Sequence, residues 1–339
     1  MTGAVRKQFK ALLSMRLPHS LLSNPFFQFS RLSDLLAVLG NEVGELEIEE
    51  IEHLCSIGLP PVTSENVICA VFGFNPGFVW SLLNKKHKYY RRFEIPKGQG
   101  VRVIYAPRLG LKVIQKWLSL RLSEFWVPDD SVYGFVVGRS HVDAAARHCG
   151  ARWAFSCDIE NFFPSTSQAS VERALIGIGY KEKSAKLIAE VCCYQGALAQ
   201  GSPASPVLSN ICAAGLDKKM LAVRDKYGCV YTRYADDMVF SGEGEMPREL
   251  EADVLSCFDG EEWEVAEGKT YSAVYPGRIK VHGLLVGGGV PRLTKGYRNR
   301  LRAYRHLLER DAVVKNASVV MGHLAYEDFV RRKALPESE

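Results

Sequence analysis

Val230-Tyr231-Thr232-Arg233-Tyr234-Ala235-Asp236-Asp237-Met238-Val239-Phe240 decides the fold of this 339-residue chain. Apolar stretches, Val230-Tyr231 and Met238-Val239-Phe240, flank two adjacent carboxylates, so the segment reads as strand, turn, strand with Asp236 and Asp237 at the tip. Adjacent carboxylates repel, and a divalent cation is the usual way to offset that cost. Taken alone, Tyr234-Ala235-Asp236-Asp237 would equally suit a solvated hairpin. The upstream sequence supplies the rest of a metal site. Cys157-Asp158-Ile159-Glu160-Asn161-Phe162-Phe163 follows the apolar run Trp153-Ala154-Phe155, which reads as a buried strand ending at Asp158. Between the two lies Gln200-Gly201-Ser202-Pro203-Ala204-Ser205-Pro206, a turn-rich segment that opens an apolar helix.

Composition narrows the setting. The formal net charge is +5, concentrated in Lys85-Lys86-His87-Lys88 with Arg91 and Arg92, and again from Arg292 to Arg310. Such clusters suit a phosphate backbone, where each neutralised phosphate releases counterions. Nine cysteines without a Cys-x-x-Cys pair argue against a disulfide framework and a zinc ribbon. The vicinal pair Cys192-Cys193 reads as packing. No apolar span is long enough to cross a bilayer and the N-terminus lacks a signal-like core, which predicts a cytoplasmic protein with no membrane partner.

Around this centre the chain is mixed. Leu32, Leu35, Leu36 and Leu39 have helical spacing before Gly40, a C-cap, and Ser64-Glu65 opens another helix. Tyr90 to Pro96 and Val101 to Tyr105 read as a hairpin. Helices are predicted from the spacing of Leu111, Ile114, Leu118 and Leu122, as a pair over 171–195, and as one over 207–225. Near the C-terminus, Tyr297, Leu301, Tyr304 and Leu308 mark the apolar face of one basic helix. This order indicates an α+β fold.

The order of carboxylate strand, Gln-Gly-Ser-Pro turn and double-Asp hairpin resembles the A, B and C motifs of reverse transcriptases. The resemblance implies a right-hand polymerase fold: an N-terminal helical region over 1–60, fingers with part of the palm over 61–150, palm over 151–290 and a small helical thumb over 291–339. It implies two Mg²⁺ ions per active site, held by Asp158, Asp236, the more peripheral Asp237 and the backbone carbonyl of Ile159. It further implies dNTP contacts by Arg102, Gln200 and Lys269, with Lys269 protonating the leaving pyrophosphate. Phe163, five residues past Asp158, is placed as the aromatic gate that would collide with a 2′-hydroxyl. Gly201 is expected to leave room for the template strand.

Val132-Tyr133-Gly134-Phe135, Ala144-Ala145-Ala146-Arg147-His148 and Val281-His282-Gly283 are similar to retron reverse transcriptase landmarks, with Ala144 in place of an asparagine and His282 in place of a threonine. The retron resemblance implies a cognate noncoding RNA as partner, primed from a 2′-hydroxyl and copied into multicopy single-stranded DNA (msDNA). It also implies an effector protein and a role in antiphage defence. RNA contacts are then expected at His148, which as a lone histidine also reads as a satisfied core residue, and at Arg298, Arg302 and Arg305, which also read as a solvated helix face. The alternatives are another bacterial reverse transcriptase, of group II intron-like, diversity-generating or abortive-infection type, and a non-catalytic RNA-binding scaffold.

Overall fold

A strand that is apolar at nearly every position can be stable only when both its faces are covered. That condition is met at the centre of this chain. The structure is a computed structural model and describes residues 24–98, 100–309 and 317–334. Residues 1–23 of the expected N-terminal region, Gln99 of the expected hairpin loop, and 310–316 and 335–339 of the expected thumb lie outside the described residues. In chain order the strands are β1 (Tyr90–Lys97), β2 (Gly100–Pro107), β3 (Trp153–Asp158), β4 (Cys193–Tyr194), β5 (Ala197–Leu198), β6 (Val230–Tyr234), β7 (Asp237–Gly242), β8 (Tyr271–Val274), β9 (Lys280–Val281), β10 (Leu284–Leu285) and β11 (Arg292–Leu293). The chain divides into two compact units, 1–127 with 166–211, and 128–165 with 212–339.

The second unit is built on a four-stranded sheet ordered β6-β7-β3-β8, antiparallel throughout. Trp153, Phe155, Cys157, Tyr231, Met238 and Phe240 pack on one face with Leu216 and Met220 of the helix Ala214–Tyr227 and with Leu250 and Val254 of Leu250–Ser256. Ala154, Val239 and Ala273 belong to a second cluster with Val142 and Ala145 of the helix His141–Arg147. Val281, Leu284 and Leu293 of the small sheet β11-β10-β9 join that cluster, as do Leu301 and Val330. Leu301 lies on the predicted basic helix, Lys295–Glu309. A second C-terminal helix, Ala317–Lys333, carries Val330; its apolar residues are too scattered to announce it, and packing against the cluster supplies the stabilisation instead.

Beneath the double-Asp hairpin lies a buried ion pair. Arg233 is 0% exposed and Asp217 is 4% exposed. Arg233 donates through Nε and Nη2 to the two Asp217 carboxylate oxygens at 2.7 and 2.6 Å, and Tyr231 donates its hydroxyl to Asp217 at 3.1 Å. The helix expected over 207–225 is broken at Ala213 into Ser205–Cys212 and Ala214–Tyr227, and the latter delivers Asp217 to Arg233.

In the first unit, β1 and β2 pair along their full length, confirming the hairpin. Ser64 caps the helix Glu65–Phe72 by accepting from the Val67 amide. Buried Gln115, on the helix Leu109–Phe125, donates to the Tyr90 hydroxyl and the Val191 carbonyl at 2.9 and 2.8 Å and accepts from Ser202 at 2.7 Å. One side chain thereby ties the hairpin and the Gln-Gly-Ser-Pro turn together. All nine cysteines are free, and Cys192 and Cys193 are buried. Among the described residues no helix is long and apolar enough to cross a membrane.

Removing one member of a buried ion pair leaves an uncompensated charge, at a cost of about 3–5 kcal/mol, whereas replacing both members by apolar groups is often near neutral. Arg233→Met is therefore expected to lower the urea midpoint sharply, and Arg233→Met combined with Asp217→Leu to recover most of the loss.

Candidate active site

The register of β3 and β7 places Asp158 directly opposite Asp237. The amide of Ile159 donates to the Asp236 carbonyl at 2.9 Å, and the amide of Ala266 donates to the Asp158 carbonyl at 2.8 Å. Asp158, Ile159, Asp236 and Asp237 thus meet at one end of the sheet, stitched by backbone bonds that side-chain substitution does not remove.

The turn itself is strained. Ala235 has φ of +60°, a left-handed conformation that a residue with a Cβ adopts at roughly 1–3 kcal/mol. Arg233 offsets this by donating from Nη1 to the Ala235 carbonyl at 3.0 Å, and a hydrogen bond from a charged donor contributes about 1.5–3 kcal/mol. Gly134 closes the other side: a Cβ there would lie 2.1 Å from the Ala235 nitrogen. The Tyr133 amide donates to the Arg233 carbonyl at 2.8 Å, so the Tyr-Gly segment runs alongside the hairpin.

Each outer carboxylate has a neighbour. Lys269 Nζ lies 3.3 Å from Asp158 Oδ2, and His282 Nδ1 lies 2.9 Å from Asp237 Oδ2. Burial first, and the charge of Asp237 second, push the Asp158 carboxyl above its ordinary range, with Lys269 opposing. Among the described residues no three His, Cys, Asp or Glu side chains are already gathered into a metal cage. The donor set nevertheless fits a hard divalent cation, because its members are oxygens and an added positive charge would favour the ionised Asp158 that burial, and after it the charge of Asp237, disfavours.

Phe162 and Phe163 divide their duties. Phe162 is buried in the core, whereas Phe163 is half-buried, stacked on Phe162 at 5.9 Å and facing Phe135 at 5.6 Å. Phe135, with φ of +64°, carried no functional signal in the sequence beyond its landmark segment. In the first unit, half-buried Arg102 lies on β2 opposite Ile95, and the Gln200 carbonyl accepts from the Tyr105 amide at 2.8 Å. The space beside Gly201 is taken by that strand: a Cβ would meet Ile104 at 2.8 Å and the Tyr105 carbonyl at 2.9 Å. This corrects the expectation that Gly201 leaves room for a template.

His148 also needs correction as an RNA contact. It is 1% exposed, with Nδ1 on the Ser241 hydroxyl and Nε2 on the Thr232 hydroxyl, both at 2.7 Å. Both ring nitrogens are spent within the core, and it acts as a tie between the helix His141–Arg147 and the two strands of the hairpin. Arg298, Arg302 and Arg305 are exposed on the helix Lys295–Glu309. Arg302 bonds Asn299, and Arg305 pairs with Glu327 of the following helix, so Arg305 already carries a counter-charge. The predicted apolar face of Tyr297, Leu301 and Tyr304 does pack into the core.

A model of the family "Reverse transcriptase (RNA-dependent DNA polymerase)" matches residues 95–276, more than half of the chain. Over 300 residues the chain is 32% identical to the Retron Mx65 reverse transcriptase of Myxococcus xanthus, spanning 81% of this chain and 70% of that relative. The chain belongs to the retron reverse transcriptases. The Retron Ec86 reverse transcriptase of Escherichia coli is 31% identical to this reverse transcriptase over 157 residues, 45% of this chain and 49% of that one. A solved telomerase from Candida albicans, in complex with a fragment of telomeric RNA, aligns at 12% identity and a TM-score of 0.46, covering 68% of this chain and 55% of that one. This reverse transcriptase is accordingly an RNA-directed DNA polymerase with a mixed helix-and-sheet right-hand fold.

Burial pushes the His148 imidazole down from 6.5 to about 3, with the charges of His282 and Arg147 adding to the effect. The folded state therefore resists protonation that the unfolded chain accepts. Stability is full above pH 6.5 and falls as pH drops from there toward 3, by at most about 1.4 kcal/mol per unit from this residue. Denaturant titrations between pH 7 and 5 should show this slope in the wild type and its loss in His148→Gln.

Proposed function

We propose that this reverse transcriptase copies part of a cognate structured noncoding RNA into msDNA in the cytoplasm, priming from an RNA 2′-hydroxyl, and serves antiphage defence beside an effector protein. The observation that carries the catalytic part is the meeting of Asp158, Asp236 and Asp237 at one end of a sheet buried on both faces, within a chain of the retron family. The RNA and effector parts rest on what the family resemblance implies.

Asp158, Asp236, Asp237 and the Ile159 carbonyl would hold two Mg²⁺ ions. Once bound, these ions would supply activation of the attacking oxygen and charge neutralisation at the triphosphate. The remaining work falls to the protein's own groups. Lys269, already beside Asp158, delivers a proton to the leaving pyrophosphate. Arg102 and Gln200 bind the incoming dNTP, the first through a guanidinium suited to phosphate oxygens. Phe163, braced by Phe162 and Phe135, presents a fixed ring edge that excludes a 2′-hydroxyl. Arg298 and Arg302 neutralise phosphates of the RNA or of the RNA-DNA hybrid, whereas Arg305 is engaged with Glu327.

Primer-extension assays test the chemistry. Asp236→Asn is expected to abolish Mg²⁺-dependent dNTP incorporation while RNA affinity stays within about twofold; persistent synthesis would remove the two-metal assignment. Phe163→Val is expected to raise ribonucleotide incorporation, and an unchanged dNTP to rNTP ratio would remove the gate.

Sequencing the nucleic acid that copurifies tests the retron product. A short branched RNA-DNA hybrid is expected, and an active polymerase without one would favour another bacterial reverse transcriptase class. Charge reversal at Arg298 and Arg302 should lower RNA affinity and flatten its salt dependence by about one unit of slope per lost phosphate contact.

A further inference from the structure

His282 stands where the retron landmark carries a threonine, and the fold delivers it to a catalytic carboxylate. Val281 of β9 and Leu284 of β10 are paired neighbours, with only His282 and Gly283 between them. Both connecting residues are left-handed, with φ of +48° and +82°, the combination of a type I′ hairpin turn. Histidine is among the few residues other than glycine that tolerate this conformation. Val281 and Leu284 are sealed in the core, so the turn has little freedom to swing.

The imidazole at this tip is 4% exposed. Its Nδ1 lies 2.9 Å from Asp237 Oδ2, and since an ionised carboxylate only accepts, Nδ1 carries the proton and donates. Tyr234, at the start of the same double-Asp turn, lies 5.4 Å away ring to ring. The ring is therefore bounded by Tyr234 on the hairpin and by Asp237 two residues past the turn's left-handed Ala235. Nε2 is buried with no hydrogen-bond partner among the described residues, so the contact with Asp237 is the ring's one polar engagement.

We infer that His282 is a positioning residue: it fixes the Asp237 carboxylate in the orientation that receives a divalent cation and so sets the enzyme's Mg²⁺ requirement. This role rests on the proposed metal reading of Asp158, Asp236 and Asp237. Hydrogen-bond donors that orient metal-binding carboxylates are worth about 10–100-fold in metal affinity or activity. The backbone places such a donor here with a tight hairpin on one side and the half-buried ring of Tyr234 on the other. A threonine hydroxyl is shorter than an imidazole, so this chain fills with a ring what the landmark fills differently.

The test compares wild type, His282→Ala, His282→Asn and Asp236→Asn by two readouts: the Mg²⁺-dependent rise in melting temperature of the nucleic-acid-free protein, and the Mg²⁺ concentration giving half-maximal primer extension. His282→Ala is expected to raise that concentration about 10–100-fold and to shrink the thermal shift, with RNA affinity unchanged. His282→Asn, whose side-chain amide offers an N–H near the Nδ1 position and tolerates left-handed backbone, is expected to restore most of both. If His282→Ala does not fold, His282→Leu keeps the volume without the donor and carries the comparison. A wild-type Mg²⁺ requirement and thermal shift in the donor-free variant would overturn the role, whatever its metal-free melting temperature. No Mg²⁺ shift in the wild type, with Asp236→Asn still active, would overturn the metal reading and this role together.

Discussion

The buried pair of Arg233 and Asp217 is the constraint on which the catalytic end of the second unit depends. An arginine with no exposure must be matched in charge and in hydrogen bonds, or its desolvation would exceed what the surrounding core contributes. Asp217 provides the charge, and Tyr231 and the Ala235 carbonyl complete the network. Because Arg233 precedes Tyr234 on β6 while Asp217 sits on the covering helix, the pair locks strand, helix and turn in one arrangement. The left-handed Ala235 persists because that arrangement over-determines it.

Three further contacts act on the same turn from different directions. Gly134 allows the Tyr-Gly segment to lie against the Ala235 backbone, where any Cβ would collide. The Ile159 amide holds the Asp236 carbonyl, joining the end of β3 to the hairpin tip. His282 holds the Asp237 carboxylate. Burial above all, with the charge of Asp237 adding to it, pushes the Asp158 carboxyl upward, and the backbone and these neighbours hold the carboxylates at one end of the sheet.

Much of the fold was legible because it is written in local patterns. The two-sided burial of β3 and β7 appears as continuous apolar runs, Ser64 announces its helix through the cap, and Gly40 ends another. The carboxylate set was legible for the same reason, since Asp158 and the Asp236-Asp237 pair each terminate an apolar strand. The break at Ala213 was not, because the apolar spacing runs through it; the second segment carries Asp217 to Arg233. The role of Gly201 was misread because a glycine's requirement for space does not say whose atoms take it; here they belong to Ile104 and Tyr105.

By itself, the sequence determined the α+β character and the order of the motif segments, and it singled out Asp158, Asp236 and Asp237, because periodicity and spacing within one segment encode these; which of Phe162 and Phe163 is core was left to the fold. Only the tertiary structure decided that His148 is a neutral core tie, that Arg305 is paired with Glu327, and that His282 reaches Asp237. Each of these depends on partners 22 to 93 residues away, and no local pattern records which distant side chain will share a desolvated space.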